Sequence, residues 1–289
     1  MHSDSDVQFA FEKWDKDIGP HRNLFDLRLR ELWHSYDLIM LFVRRDFVST
    51  YTQTILGPLW YLIQPILTTI TFTIIFGGFA QLSTEGLPKF LFYMSGVIIW
   101  TYFASCLTKT SDTFINNAQL FGKVYFPRLA VPVSIVISNL IAFAIQFVFF
   151  LVSMVFFALR GFEFHPNWLI LLTPLLLLIM AGLGLGFGII ISSLTTKYRD
   201  LRFLVQFGVQ LLMFATPVIY PVSSIPPQFQ KLIMLNPLSA VVETFRYAYL
   251  GEGTISVGQL AYSFGFMLVT ILIGAVIFNR VEATFMDTV

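Results

Sequence analysis

The chain has 289 residues, 56% hydrophobic and 12% charged, with mean hydropathy +0.74 and a formal net charge of +1. A soluble domain is about a quarter charged, so half that share argues for lipid as the solvent. A net charge so near zero excludes a nucleic-acid binder built on bulk charge, and the single cysteine, Cys106, excludes an internal disulfide or a thiolate metal cage.

Residues 1–22 mix Asp, Glu and Lys with Trp14 and are broken at Gly19-Pro20, so a partly disordered cytoplasmic tail is expected. Residues 1–37 are polar and charged, and no cleavable signal peptide is expected among them. From Asn23 to about Thr50, apolar residues such as Leu24, Trp33, Leu38 and Phe42 alternate in helical fashion with Arg28, Arg30, Glu31 and Arg44. The longest charge-free apolar piece there, Leu38–Val43, cannot span a bilayer. An amphipathic helix lying in the membrane interface is therefore expected over 23–56.

Six runs free of Asp, Glu, Lys, Arg and His follow: Gly57–Ala80, Phe90–Thr108, Leu129–Leu159, Trp168–Ile191, Phe203–Tyr220 and Val257–Phe278. The first has 24 residues, which at ~1.5 Å each cover roughly 36 Å against a hydrocarbon core of ~30 Å. Pro65 within it should bend the helix and leave a carbonyl for a neighbour to satisfy. Six crossings put both termini on one side. Fourteen Lys and Arg fall on that side and four on the other, so both ends are expected in the cytoplasm.

Between Pro221 and Gln259 the chain is too long for a turn and too apolar for an exposed loop. Pro221, Pro226, Pro227 and Pro237 cut it, leaving Gln228–Leu235 and Leu238–Leu250. The longer piece reaches only ~20 Å, short of a crossing. Two half-helices dipping back into the membrane over 221–250 meet both facts, provided protein or water shields their backbone. A flat pair of surface helices is the alternative.

Gly182-Leu-Gly-Leu-Gly-Phe-Gly188 lies within a span, with no strand before it, so these glycines are read as sites of close helix approach rather than a dinucleotide loop. No G-x-x-x-x-G-K-[ST] motif occurs. His2, His21, His34 and His165 are scattered without a carboxylate cluster, so no catalytic residue and no metal site is assigned. Ion-coupled carriers place carboxylates or broken helices with ion ligands at mid-membrane, and the six runs lack such charges. Energy for transport is therefore expected from a soluble partner. Its candidate docking loops are Asn116–Arg128, with Phe121, Lys123, Tyr125 and Arg128, and Ser192–Arg202, with Tyr198, Arg199 and Asp200. Solvated topology-setting charge is the plainer reading of both.

The blocks RRDFVSTYTQTILGPLWYLIQP, SGVIIWTYFASCL, KVYFPR, KYRDLRF and TPVIYPVSSIPPQFQKLIMLNPLSAVVETFRY occur in this order from Arg44 onward. Together they resemble the permeases of type-2 ABC exporters that move polysaccharides such as O-antigen, capsule and teichoic acid. The resemblance implies an all-α membrane protein of six transmembrane helices. It also implies an N-terminal interface helix, a coupling helix in the second–third loop and a re-entrant hairpin between the fifth and sixth spans. It implies a homodimer working with two copies of a separate ATPase, with no cofactor in this chain and ATP and Mg in the partner. The implied cargo is a glycan on undecaprenyl pyrophosphate. For such a cargo Trp60, Tyr61, Trp100, Tyr102 and Tyr220 are candidates for an aromatic lining, since aromatic faces hold sugars without fixed directional bonds. Interface belts are the commoner use of membrane aromatics. Tyr51 joins these candidates, and Arg44 and Arg45 are placed to meet a pyrophosphate through their guanidinium forks; anchoring to anionic lipid would use them equally. An exporter of drugs or lipids in the same class is the alternative, and a membrane-embedded acyl- or phosphotransferase is a more distant one.

Overall fold

A computed structural model describes residues 29–51, 55–123, 126–195, 198 and 200–285, and among these there is no β-strand. The tail over 1–22 and the first residues of the expected interface helix lie outside the described residues. The helices are α1 (Leu29–His34), α2 (Tyr36–Tyr51), α3 (Trp60–Phe72), α4 (Lys89–Ser111), α5 (Thr113–Asn116) and α6 (Ala118–Lys123). They continue as α7 (Ala130–Leu159), α8 (Thr173–Thr195), α9 (Leu201–Phe214), α10 (Pro227–Met234), α11 (Pro237–Leu250) and α12 (Val257–Phe285). Among the described residues five helical stretches are long and apolar enough to cross a membrane: Gly57–Phe79, Lys89–Ser111, Ala130–Leu159, Trp168–Thr195 and Val257–Val281.

At the centre stands α4, in which every residue from Leu91 to Trp100 is buried. The glycine run of α8 explains how its neighbours reach it. A Cβ on Gly184 would lie 2.7 Å from Cys106 Cβ, and one on Gly188 would lie 2.5 Å from Thr110 Cβ, both on α4. Gly182 and Gly186 turn the other way, with Met267 at 2.5 Å and the Thr270–Ile271 backbone at 3.0 Å, both on α12. Alternate glycines therefore bring one helix against two partners at once, the close packing that small residues permit in lipid. Around this block, α3, α7, α9 and α12 keep apolar side chains such as Leu67, Val152, Phe207 and Leu272 at the surface. Helices hydrophobic on their outward faces belong in hydrocarbon or against another chain.

Pro65 lies inside α3 without ending it, and the helix opens into a π-helical stretch at Thr73–Phe79. The loosened backbone is met by Lys89, whose ammonium donates to the Gly77 carbonyl at 2.6 Å. In α4 the helix runs past Thr108 to Ser111 and carries Lys109 in its wall. The charge-free run ends at Thr108, one residue short of this lysine, because a lone charge after an apolar run reads as the end of a span.

The expected run 203–220 is built in two parts. Helix α9 stops at Phe214, and its 14 residues cover only ~21 Å at a helical rise of ~1.5 Å. Residues 215–220 then turn, with Thr216, Pro217, Val218 and Ile219 buried. Their carbonyls find donors one by one. Tyr220 Oη donates to Phe214 O at 2.8 Å, and Asn236 Nδ2 donates to Ala215 O at 3.2 Å and to Thr216 Oγ1 at 2.9 Å. Arg246 Nη2, from α11, donates to Pro217 O at 3.0 Å and Val218 O at 3.3 Å. Gly96 on α4 makes room, since a Cβ there would meet Val218 O at 2.8 Å.

Arg246 is wholly buried and is paired with Glu243 at 2.8 Å, also wholly buried, while its guanidinium lies 3.9 Å over the Phe92 ring. The other Glu243 oxygen accepts from the Thr254 amide at 3.2 Å. The two short helices expected from the proline pattern are present as α10 and α11. Asn236 caps the second, its Oδ1 accepting from Leu238 N at 3.0 Å, and Gly251 ends it at φ +86°, a left-handed position that glycine tolerates.

Two stability outcomes follow from this packing. Gly188→Val should cost about 1–3 kcal/mol through overpacking, whereas Gly208→Ala, with nothing within 4 Å of its Cβ, should be neutral or slightly stabilising. Thermal unfolding of the two variants in nanodiscs measures the contrast. Arg246→Met should cost about 3–5 kcal/mol, since it strands a buried carboxylate, and Glu243→Gln should cost less because Arg246 keeps the Pro217 and Val218 carbonyls and the Phe92 ring as partners. A smaller loss for Arg246→Met than for Glu243→Gln in chemical denaturation would contradict that order.

Candidate functional site

The bundle has two unlike ends. At one, α10 and α11 close over the start of α4. At the other, α2, α5 and α6 gather against the start of α7. Here Ile39, Phe42 and Val43 of α2 pack with Phe114, Phe121, Ala130, Val131, Ile135, Ile189 and Phe278. Phe121 is buried, with ring centroids 5.7 Å from both Phe114 and Phe126, and the Arg128 guanidinium lies 5.6 Å from its ring. Helix α5 is tied to α8 where the Phe114 amide donates to Ser192 Oγ at 3.3 Å. The start of α9 is tied to α4 by Arg202–Asp112 at 2.9 Å.

From this end a series of cavities follows α3. The first, about 630 Å³, is lined by Arg45, Asp46, Tyr61, Lys109, Asp112 and Ser138, among others. The second, about 170 Å³, lies between α3, α4 and α7 and is lined by Trp60, Tyr61, Gln64, Thr101, Tyr102, Ser105, Lys109, Asn139 and Gln146, among others. The third, about 440 Å³, opens along Trp60, Gln64, Leu67, Thr68, Thr71 and Phe72. Tyr61 and Lys109 belong to the first two, and Trp60 and Gln64 to the last two, so neighbouring cavities share walls. Helical repeat explains the alignment: Thr101, Ser105 and Lys109 of α4 and Asn139, Ala142 and Gln146 of α7 recur every three or four residues and face each other. The result is a tract of hydroxyl, amide and aromatic groups within apolar helices.

The structure distributes the expected site residues unevenly. Arg45 and Tyr61 line the first cavity, and Trp60, half exposed at 51%, lines the second and third. Tyr102 is buried but edges the second cavity, its ring 5.7 Å from Phe143. Trp100 is buried in the core with its ring 5.4 Å from Phe103, and Tyr220 spends its hydroxyl on Phe214 O. Arg44 is exposed on α2, and Arg45 donates to Asp46 Oδ1 at 2.8 and 2.9 Å. Tyr198 and Asp200 are exposed before α9. Tyr125 and Arg199 lie outside the described residues, as do the side chains of Tyr51 and Lys123.

Sequence reasoning passed over Lys109, Asn139 and Gln146, and at the other end Glu243 and Arg246. The amides carry no charge to interrupt an apolar run, so only their spacing at three, four and seven residues could have marked a common face.

These features define a class: a helical integral membrane protein with polar cavities along one helix of an otherwise apolar bundle, a transport architecture rather than an anchor. Residues 37–250 match the family model described as ABC-2 type transporter, and the chain belongs to that family. It is 27% identical over 257 residues to the O-antigen export system permease protein RfbA of Klebsiella pneumoniae, covering 89% of this chain and 96% of the relative. It is likewise 27% identical to a Myxococcus xanthus protein of the same description, over 75% of this chain and 82% of that one. To the polysialic acid transport protein KpsM of Escherichia coli it is 26% identical, over 82% of this chain and 91% of that protein. Members of the family work with ATP-binding partners, and these relatives are described as export and transport proteins.

Burial of Phe121 sets one outcome. Phe121→Ala should cost about 3–5 kcal/mol and should loosen α6 from α2 and α7. Hydrogen exchange over 118–123 should accelerate at least tenfold while exchange in the middle of α8 stays as it was; equal exchange in both variants would remove the anchoring role.

Proposed function

We propose that this chain is the permease subunit of an ATP-driven exporter that moves a polysaccharide, carried on undecaprenyl pyrophosphate, from the cytoplasm across the inner membrane. The observation that supports it most is the walled tract along α3, in a chain similar over most of its length to O-antigen and capsule permeases. A sugar polymer needs surfaces that hold it weakly and release it. Trp60 and Tyr61 offer aromatic faces, while Gln64, Thr68 and Thr71 offer polar contacts at short intervals up one helix.

In this reading both termini are cytoplasmic, and α9 with the turn after it makes a sixth crossing. Helices α10 and α11 re-enter from the outer side, where Arg246 satisfies backbone that lipid could not. Two copies facing each other across the α3 side close the tract into a channel. Two ATP-binding subunits, which hold ATP and Mg in their own chains, dock on the cytoplasmic end. Phe121 transmits their motion by fixing α6 to α2 and α7 rather than by touching them. Lys123, Tyr125, Arg128, Tyr198, Arg199 and Asp200 are the residues assigned to meet them. Arg44 and Arg45 receive the pyrophosphate as it arrives.

Deleting the gene should strip glycan from the cell surface and cause lipid-linked glycan to accumulate inside, and re-expression should reverse both. Surface glycan that persists in the deletion strain overturns the export reading. Loss of surface glycan without an internal lipid-linked pool overturns the carrier.

A further inference from the structure

Lys109 differs from the other cations along the tract. Arg45 is bonded to Asp46, and Arg202 is bonded to Asp112. The Lys109 ammonium instead donates to a neutral group, Asn139 Oδ1, at 2.9 Å, and no carboxylate of a described residue lies within ion-pair distance of it. Lys109 stands in the last turn of α4, an exposed residue whose ammonium reaches across to α7. Asn139 is the tenth residue of α7, roughly 14 Å along that helix at ~1.5 Å per residue. A charged side chain in a spanning helix is costly and marks a path for substrate or ions. Here it lies where the first cavity meets the second, with its charge exposed to both.

Deeper in, Gln146 is buried at 4% exposure, and its Oε1 has no hydrogen-bond partner. It stands two turns beyond Asn139 on the same face of α7 and lines the second cavity with Gln64, Thr101 and Ser105. A buried acceptor without a donor is expensive, so the cavity is built to receive one. Its volume of about 170 Å³ is of the size of one small polar ring.

We propose that Lys109 is the seat for the phosphate of a phosphorylated saccharide, and that Gln146 accepts a hydroxyl of the adjoining ring. The ammonium exchanges Asn139 for the phosphate oxygens, and the displaced partner, being neutral, leaves no stranded charge. Arg45 meets the group at the mouth and Lys109 holds it one step further in. The inference rests on the export reading for the identity of the cargo; the cation, the orphaned acceptor and the cavity between them stand independently of it.

The test uses the full chain in phosphatidylcholine nanodiscs, titrated calorimetrically with a short-chain prenyl diphosphate bearing one N-acetylhexosamine and with the same prenyl diphosphate lacking the sugar. Both probes should bind saturably. Lys109→Gln should weaken both at least tenfold, and Lys109→Arg should stay within threefold of the native chain. Gln146→Leu should weaken only the sugar-bearing probe, by threefold or more. Unchanged affinity in Lys109→Gln, or an equal loss of both probes in Gln146→Leu, overturns the assignment. Should Lys109→Gln fail to fold, acetic anhydride labelling of the native chain replaces it. The sugar-bearing probe should then lower labelling of Lys109 severalfold and leave Lys231 unchanged, and equal labelling of Lys109 with and without probe overturns the seat.

Repeating the titration with a third of the lipid as phosphatidylglycerol separates the two sources of phosphate. Affinity within threefold supports the saccharide, whereas loss of binding assigns the seat to the phospholipid headgroup and overturns the proposal. Normal export by Lys109→Gln in a strain that needs this gene removes the seat and leaves the export reading standing. A deletion strain with intact surface glycan removes the export reading whatever the probes do.

Discussion

The hairpin end of the molecule depends on one buried guanidinium. After Phe214 the backbone leaves the helix, and four successive residues are buried without regular structure. Buried backbone is stable only where its polar groups find hydrogen-bond partners. Arg246 supplies two, Asn236 another, and Tyr220 another from its own side chain. Glu243 neutralises the arginine and in turn holds the chain beyond α11 through Thr254. Charge, broken helix and short helices thus form one unit, and none of them is tenable without the others.

That closure is seated on a rigid block. The alternate glycines of α8 bring α4 and α12 to van der Waals contact on both sides, leaving little freedom for either to slide. The polar cavities lie to one side of this block, where α3 and α7 face α4. At the far end, Phe121 and its ring neighbours connect α6 to α2 and α7, so a displacement at that corner reaches the wall that lines the tract. In the proposed exporter this is how work done outside the membrane would alter the path within it, with the outer closure as the opposing stop.

Much of the fold was legible because its signals are local. Charge-free runs of nineteen or more residues marked the five stretches long enough to cross a membrane, and prolines at 221, 226, 227 and 237 marked two short helices where α10 and α11 lie. The Gly182–Gly188 spacing marked close packing. The site was less legible. Lys109 follows an apolar run and so reads as a loop charge, and Arg246 reads as one more surface cation in a linker. Phe121 reads as a residue offered to a partner, because nothing in the periodicity of this short loop shows that Phe114 and Phe126 fold back onto its ring. Tyr220 reads as a lining aromatic until its hydroxyl is seen to be committed to a carbonyl six residues back.

What the sequence determined by itself is the solvent: a chain with so few charges and such long apolar runs must satisfy its backbone internally, which means helices, and its motif order shows its family. Only the tertiary structure decided where the exceptional residues go. Whether a lysine lies in water or in a wall, and whether an arginine faces headgroups or caps a broken helix, depends on which helices come to stand beside it. Hydropathy measures each residue against a solvent, whereas these side chains are placed by particular neighbours.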